Sequence, residues 1–168
     1  MSFKATLTIE GKSYNVLQCT HLLKQKAERG KVTSGVRGGA ITMIIDSTDE
    51  EIFGSWATSP TAKKNGEIVF DRVDQQSALQ KLEFEDAYAI FYFELMASAY
   101  MDNVDVLIDT FHDMFASDES TNNSLLDRFT VATNNMLRFV KRTGVSNCIL
   151  LRLSAGKIKL DGIDHQNT

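Results

Sequence analysis

The chain opens on strict alternation. Phe3, Ala5, Leu7 and Ile9 interleave with Lys4, Thr6, Thr8 and Glu10, the period-two pattern of a strand with one buried face. Gly11-Lys12 predicts a tight turn. Ser13 to Leu23 predicts a hairpin partner, with Tyr14 and Val16 on one face and Leu17, Cys19, His21 and Leu23 on the other. Ala40 to Asp46 predicts a third strand through Ile41, Met43 and Ile45. Ser47 with Glu50, or Thr48 with Glu51, has the spacing of a capping box, and Ile52, Phe53 and Trp56 form one apolar stripe. A short helix is therefore expected from about Asp49 to Thr58, ended near the single proline, Pro60. Trp56 reads as a core anchor.

Lys63-Lys64-Asn65-Gly66 reads as a hairpin turn, Glu67 to Val73 as a strand and Asp74 to Ser77 as another turn. Leu79 to Leu95 is a long extended run. From Ala87 it is apolar on both faces, with Tyr88, Ile90 and Tyr92 against Ala89, Phe91, Phe93 and Leu95. Such a strand is covered on both sides, by its own core and by a helix or another subunit. Between Tyr100 and Gly144 the period becomes helical. Val104, Ile108, Phe111 and Phe115 recur along one stripe, and Asp102, Asp105, Asp109 and Asp113 along another. Leu125, Phe129, Ala132, Met136 and Phe139 form the facing seam, behind a Ser124–Asp127 capping spacing. An antiparallel helical hairpin is expected, with Asp102 and Asp105 near Arg138 and Arg142, and Asp113 near Arg128. The Asp stripe otherwise reads as a solvated face. Strand returns from Val145 to Ile163, where Ile149, Leu151 and Leu153 run one residue out of phase with Ile158 and Leu160. A bulge near Ala155-Gly156 would restore the phase. Asp164 to Thr168 should fray.

The fold class expected is mainly β with an α insertion. It would be a two-sheet β-barrel with one short side helix, plus a helical hairpin inserted before the C-terminal strands. Residues 1–168 form a single domain in this reading, with 100–144 as the helical insertion. One segment has no periodic signal: Gly30, Lys31, Val32, Thr33, Ser34, Gly35, Val36, Arg37, Gly38 and Gly39. It is either a solvated connection between strands or a contact loop that docks on a neighbour.

Composition narrows the function. A hydrophobic content of 43% and charged content of 24% are those of an ordinary globular chain. A net charge of −4 argues against nucleic acid as the main partner. No apolar run spans a bilayer, so no membrane insertion is expected. The N-terminus lacks a signal-peptide core, which implies cytoplasmic folding and, for any secreted fate, a route without a cleaved signal. Cys19 and Cys148 do not make a disulfide framework, and with His21 and His165 they lack metal-site spacing. No nucleophile elbow, phosphate-cradling loop or dinucleotide fingerprint is present, so no catalytic, cofactor-binding or metal residues are assigned.

Several stretches, in order, carry a family resemblance. Met1-Ser2-Phe3-Lys4-Ala5-Thr6-Leu7 precedes Gly11-Lys12, Tyr14, Val16-Leu17 and Cys19. Then come Ser34-Gly35-Val36-Arg37-Gly38-Gly39, Leu82-Glu83-Phe84 with Ala87-Tyr88, and Leu153-Ser154-Ala155 with Ile158-Lys159. Together they resemble the hemolysin-coregulated protein family, the tube proteins of type VI secretion systems, in its Bacteroidetes form. The resemblance covers about Met1 to Leu95 and Ile149 to the end. It implies a non-enzymatic β-barrel that forms homo-hexameric rings. The rings would stack into a tube, meet the sheath and a tip protein, and carry effectors. Assembly would be cytoplasmic, and secretion would need no cleaved signal peptide. The segment 30–39 would be the extended loop between rings. The resemblance also implies proline where Val32 stands and a short connection where Tyr100 to Gly144 stands. That insertion admits a second reading, an adaptor or cargo-carrier ring whose helical hairpin binds an effector or tip component. A third reading, a small toxin domain in the insertion, has only His112 to recommend it.

Overall fold

The structure is a computed structural model and describes residues 3–24, 27–32, 37–72, 78–96, 134–144, 147–161 and 163–166. β1 (Phe3–Ile9) and β2 (Lys12–Lys24) form the opening hairpin, with Ile9 opposite Lys12. The turn is thus Glu10-Gly11, one residue earlier than the sequence pattern suggested. Both residues have positive φ, 52° and 76°, as a two-residue turn of the strand-compatible hand requires. β2 carries a bulge between Val16 and Gln18 in its pairing with β5 (Arg37–Asp46). The extra residue switches phase, so Cys19 and Leu23 pack on the same core as Tyr14 and Val16 instead of the opposite face.

β6 (Lys64–Arg72) lies on the other side of β1 and pairs in turn with β7 (Ala78–Met96). Lys64, Asn65 and Gly66, expected as a turn, are strand residues. Gly66 stands opposite Ile9 on one side and Phe84 on the other. A Cβ there would lie 2.6 Å from Phe84 Cζ and 2.8 Å from the Thr8 carbonyl oxygen. The glycine is a gap in the barrel interior that the Phe84 ring fills, not a turn signal.

β8 (Asn147–Ser154) pairs with both β5 and β7, which closes β1, β2, β5, β8, β7 and β6 into a six-stranded antiparallel barrel. The closure makes one continuous wall in place of the two sheets expected from sequence. Its cause is the length of β7, 19 residues. Its first half meets β9 (Lys157–Leu160), and β8 pairs with it as well. The break between β8 and β9 falls at Ala155-Gly156, where the bulge was expected. The Gly156 N–H donates to the carbonyls of Glu85 (3.1 Å) and Asp86 (3.3 Å). Asp86 is itself a bulge residue with φ 52°, and its N–H donates to Asn65 Oδ1 at 2.9 Å. β10 (Ile163–Gln166) completes the sheet on the far edge of β9.

The barrel interior holds Leu7, Ile41, Met43, Ile45, Ile68, Leu82, Phe84, Leu151 and Ile158, all buried. α1 (Ile52–Thr58) adds Phe53 and Trp56 to the same core. Trp56 donates its Nε1–H to the Ala87 carbonyl at 3.1 Å. The expected capping box does not form: the helix starts three residues later, and no side chain caps it. Glu50 is taken instead by a tertiary contact, accepting a 2.6 Å hydrogen bond from Tyr14 Oη.

The chain divides into two compact units, Met1–Phe93 with Ile149–Thr168, and Glu94–Cys148. In the second unit, α2 (residues 134–143) buries Met136, Leu137 and Val140 and exposes Arg138, Lys141 and Arg142. Spacings of one, three and four residues put the buried set on one face. Gly144 ends the helix with φ 72°, its N–H bonded to the Val140 carbonyl at 2.8 Å.

Candidate assembly surface

The segment without periodicity is a β-ribbon at its near half. β2 runs on to Lys24, paired with Arg37 at the start of β5. Beyond that root, β3 (Ala27–Glu28) and β4 (Lys31–Val32) pair as Ala27 with Val32 and Glu28 with Lys31. Arg29 and Gly30 form the turn with φ 49° and 77°, the same two-residue geometry as Glu10-Gly11. The ribbon was hidden from pattern reading because it has no buried face. Every residue from Ala27 to Val32 is exposed.

Of the ten residues singled out, Gly30 is in that turn, and Lys31 and Val32 form β4. Arg37, Gly38 and Gly39 open β5. Gly39 is buried with φ 97°, and its carbonyl accepts from the Ala155 N–H at 2.8 Å, so this glycine ties the strand to the wall. Thr33, Ser34, Gly35 and Val36 lie outside the described residues. So do the seam positions Val104, Ile108, Phe111, Phe115, Leu125 and Phe129, the aspartate stripe, and the turn at 74–77. Of the remaining seam residues, Met136 is fully buried and Phe139 half-buried, with the Arg142 guanidinium 5.9 Å from its ring centre. Among the described residues, Arg138 and Arg142 have no carboxylate partner.

Large apolar side chains are exposed at four described positions: Leu22 (60%), Val32 (61%), Ile90 (49%) and Met96 (72%). Leu22 stands near the root of the ribbon and Val32 at its second strand. Ile90 lies on the stretch of β7 that reads as apolar on both faces, of which Ala87 and Ala89 belong to the core.

At the other end of the β2–β5 pair, a polar latch holds the segment ahead of α1. The Glu50 carboxylate accepts from Tyr14 and pairs with Lys12 at 3.1 Å. The Tyr14 ring meets Phe53 edge-on, centres 4.8 Å apart. Burial, and then the Glu50 carboxylate, push the Tyr14 hydroxyl up to about 12. The hydrogen bonds from Tyr14 and Lys12 hold Glu50 below the usual carboxylate range. Burial also pushes the Cys19 thiol up to about 12, so it is a packing thiol and not a nucleophile. Among the described residues no three metal-ligating side chains cluster, and no helix is long and apolar enough to cross a membrane.

Comparison with known proteins follows the same outline. The family model described as hemolysin coregulated protein Hcp (TssD) matches residues 1–107. Hcp1 from Flavobacterium johnsoniae is 22% identical, with a TM-score of 0.63 over 98% of this chain and 99% of that one. Hcp1 from Salmonella typhimurium is 10% identical, with a TM-score of 0.58 over 95% of this chain and 86% of that one. A variant of Hcp1 from E. coli EAEC 042 is likewise 10% identical, with a TM-score of 0.56 over the whole of both chains. At these identities the likeness is one of fold. No curated protein matches the chain in sequence.

Proposed function

The chain belongs to the hemolysin coregulated protein (TssD) family of type VI secretion tube proteins, and on that footing we propose that it assembles into homo-hexameric rings that stack into a tube and carry effectors. The family is structural and not enzymatic. The observation that carries the proposal is the bare ribbon. A free-standing pair of two-residue strands is marginal in water, and every residue from Ala27 to Val32 is exposed. Cover from a neighbouring ring removes that deficit, and the exposed Leu22 and Val32 supply apolar area for it. Ile90, on the outward face of β7, is the corresponding exposed position for contact between subunits of one ring.

The test is the assembly itself. Light scattering and negative-stain microscopy should find six-fold rings at micromolar concentration. A monomer at high concentration, with no ring on the grid, overturns the proposal. Arg37→Glu should weaken stacking and leave the fold intact; unchanged stacking would return the segment 30–39 to a plain connection.

A second reading rests on the second unit. The family match ends at residue 107, while Glu94–Cys148 is compact in its own right. We take 1–168 as one barrel domain carrying 100–144 as a helical insertion, and the insertion as an adaptor for an effector, the sheath or a tip component. Deleting residues 100–144 should leave the ring and abolish one partner. A deletion variant that keeps every partner contradicts this reading.

A further inference from the structure

From Arg128 to Leu160 the sequence holds seven cations and no acid, in a chain whose net charge is −4. Three of those cations, Arg138, Lys141 and Arg142, stand on α2, and all three are exposed. At about 3.6 residues per turn they share about 100° of arc, on the side away from the buried Met136 and Val140. On the barrel, Lys12, Lys64 and Lys81 each hold a carboxylate within 3.1 Å. Among the described residues, none of the three α2 cations does. The helix dipole favours cations in a last turn, but Arg138 lies ahead of that turn, so the dipole does not account for the stripe. The end of the stripe is also held in shape. The Gly144 N–H caps the Val140 carbonyl, and Thr143 Oγ1 donates to the Phe139 carbonyl at 2.8 Å. The Arg142 guanidinium stands 5.9 Å from the Phe139 ring centre, within cation–π range.

One exposed guanidinium needs no partner, but three unmatched cations at spacings of three and four residues form a template. Residues so spaced on a helix lie about 5–6 Å apart. The partner that fits repeats negative charge at that interval, as carboxylates on one face of a second helix do. Two of the three cations are arginines, whose planar fork takes a carboxylate through two parallel hydrogen bonds. A nucleic acid or an anionic bilayer carries its charge far beyond three cations, and the rest of it would face a net-acidic chain. A short acidic helix meets only the stripe. We propose that this face of α2 docks an acidic helical segment of a partner protein. The family match ends at residue 107, so the surface lies beyond the matched residues. The inference rests on the reading of 100–144 as an adaptor and names the chemistry its partner presents.

The test uses the full chain and a fluorescein-labelled, alanine-based helical peptide with glutamates spaced three and four residues apart. Fluorescence anisotropy should show saturable binding, with a dissociation constant that rises about tenfold or more between 50 and 300 mM NaCl. Arg138→Gln with Arg142→Gln should weaken binding about tenfold or more. Arg138→Lys with Arg142→Lys, which keeps the charge but not the fork, should recover only part of it. Glutamine forms helix about as well as arginine and the positions are exposed, so the melting temperature should move by less than about 2 °C. A glutamine version of the peptide that binds as well overturns the inference, as does a double glutamine variant that binds as tightly as the parent. A melting temperature that falls by about 5 °C or more in that variant overturns it too, because the cations would then be matched within the chain. Binding to phosphatidylserine vesicles or duplex DNA, without binding to the peptide, overturns it in favour of another class of anion. If deleting 100–144 abolishes a partner that the double glutamine variant retains, the inference falls and the adaptor reading stands. A deletion variant that keeps every partner overturns both.

Discussion

Gly66 offers a sharp test of the barrel packing. A methyl group at that position would sit 2.6 Å from Phe84 Cζ, 2.8 Å from the Thr8 carbonyl oxygen and 3.1 Å from Ile9 Cγ1. Ordinary carbon contacts lie at about 3.5–4.0 Å, so the Phe84 ring must retreat by about 1 Å. It is buried in the interior row that runs from Ile9 through Gly66 and Phe84 to Ile158. The Thr8 oxygen is backbone and moves only with the strand. Overpacking of this kind costs about 1–3 kcal/mol, and the backbone contact puts Gly66→Ala near the upper half of that range. Against it stands the loss of glycine's freedom in the unfolded chain, which favours alanine by about 0.4–1 kcal/mol. The net expectation is a loss of about 1–2 kcal/mol. In a chain of this length that lowers the melting temperature by about 2–8 °C. Urea unfolding at fixed protomer concentration should move the midpoint down with an unchanged slope. Adding Phe84→Leu should cost less in the Gly66→Ala background than in the parent, because the two side chains compete for one space. A Gly66→Ala variant as stable as the parent would refute this account of the interior.

Two further perturbations probe other parts of the frame. Trp56→Phe removes the donor to the Ala87 carbonyl beside the Asp86 bulge and should cost about 1–3 kcal/mol in urea unfolding; a change under about 0.5 kcal/mol would mean that water replaces the indole. Tyr14 is raised to about 12 in the folded chain, so the stability it contributes is complete below its ordinary value near 10 and is lost as pH rises through 12. Glu50 is depressed, so its contribution is present above the ordinary carboxylate range and is lost as pH falls through its lowered value. Tyr14→Phe should abolish the alkaline loss and flatten the acid one, read as melting temperature against pH. An unchanged alkaline limb would place the effect elsewhere.

Sequence carried the fold wherever one face was buried and one wet. β1, β5 and the length of β7 were legible because alternation or continuous apolarity reports burial directly. The phase slip between Leu153 and Ile158 located the β8–β9 break. What escaped was set by contacts between distant residues. Gly66 looks like a turn residue until Phe84 is known to lie across it. The bulge in β2 between Val16 and Gln18 leaves no compositional trace, yet it decides which face Cys19 takes. Glu50 matches a capping box, but the Tyr14 hydroxyl claims it. The ribbon at Ala27–Val32 was invisible for the opposite reason: with both faces in water it has no hydrophobic period to detect. The surface proposed for assembly was therefore found as a glycine-rich segment, while its paired form came from the structure.

The central claim is that this barrel exists to be joined to copies of itself. The most direct measurement is the mass of the purified full chain in solution, by light scattering over a concentration series. The account expects a plateau at six protomers, with ring-shaped particles on the grid. A mass that stays at one protomer up to the highest concentration, with no rings, would contradict it.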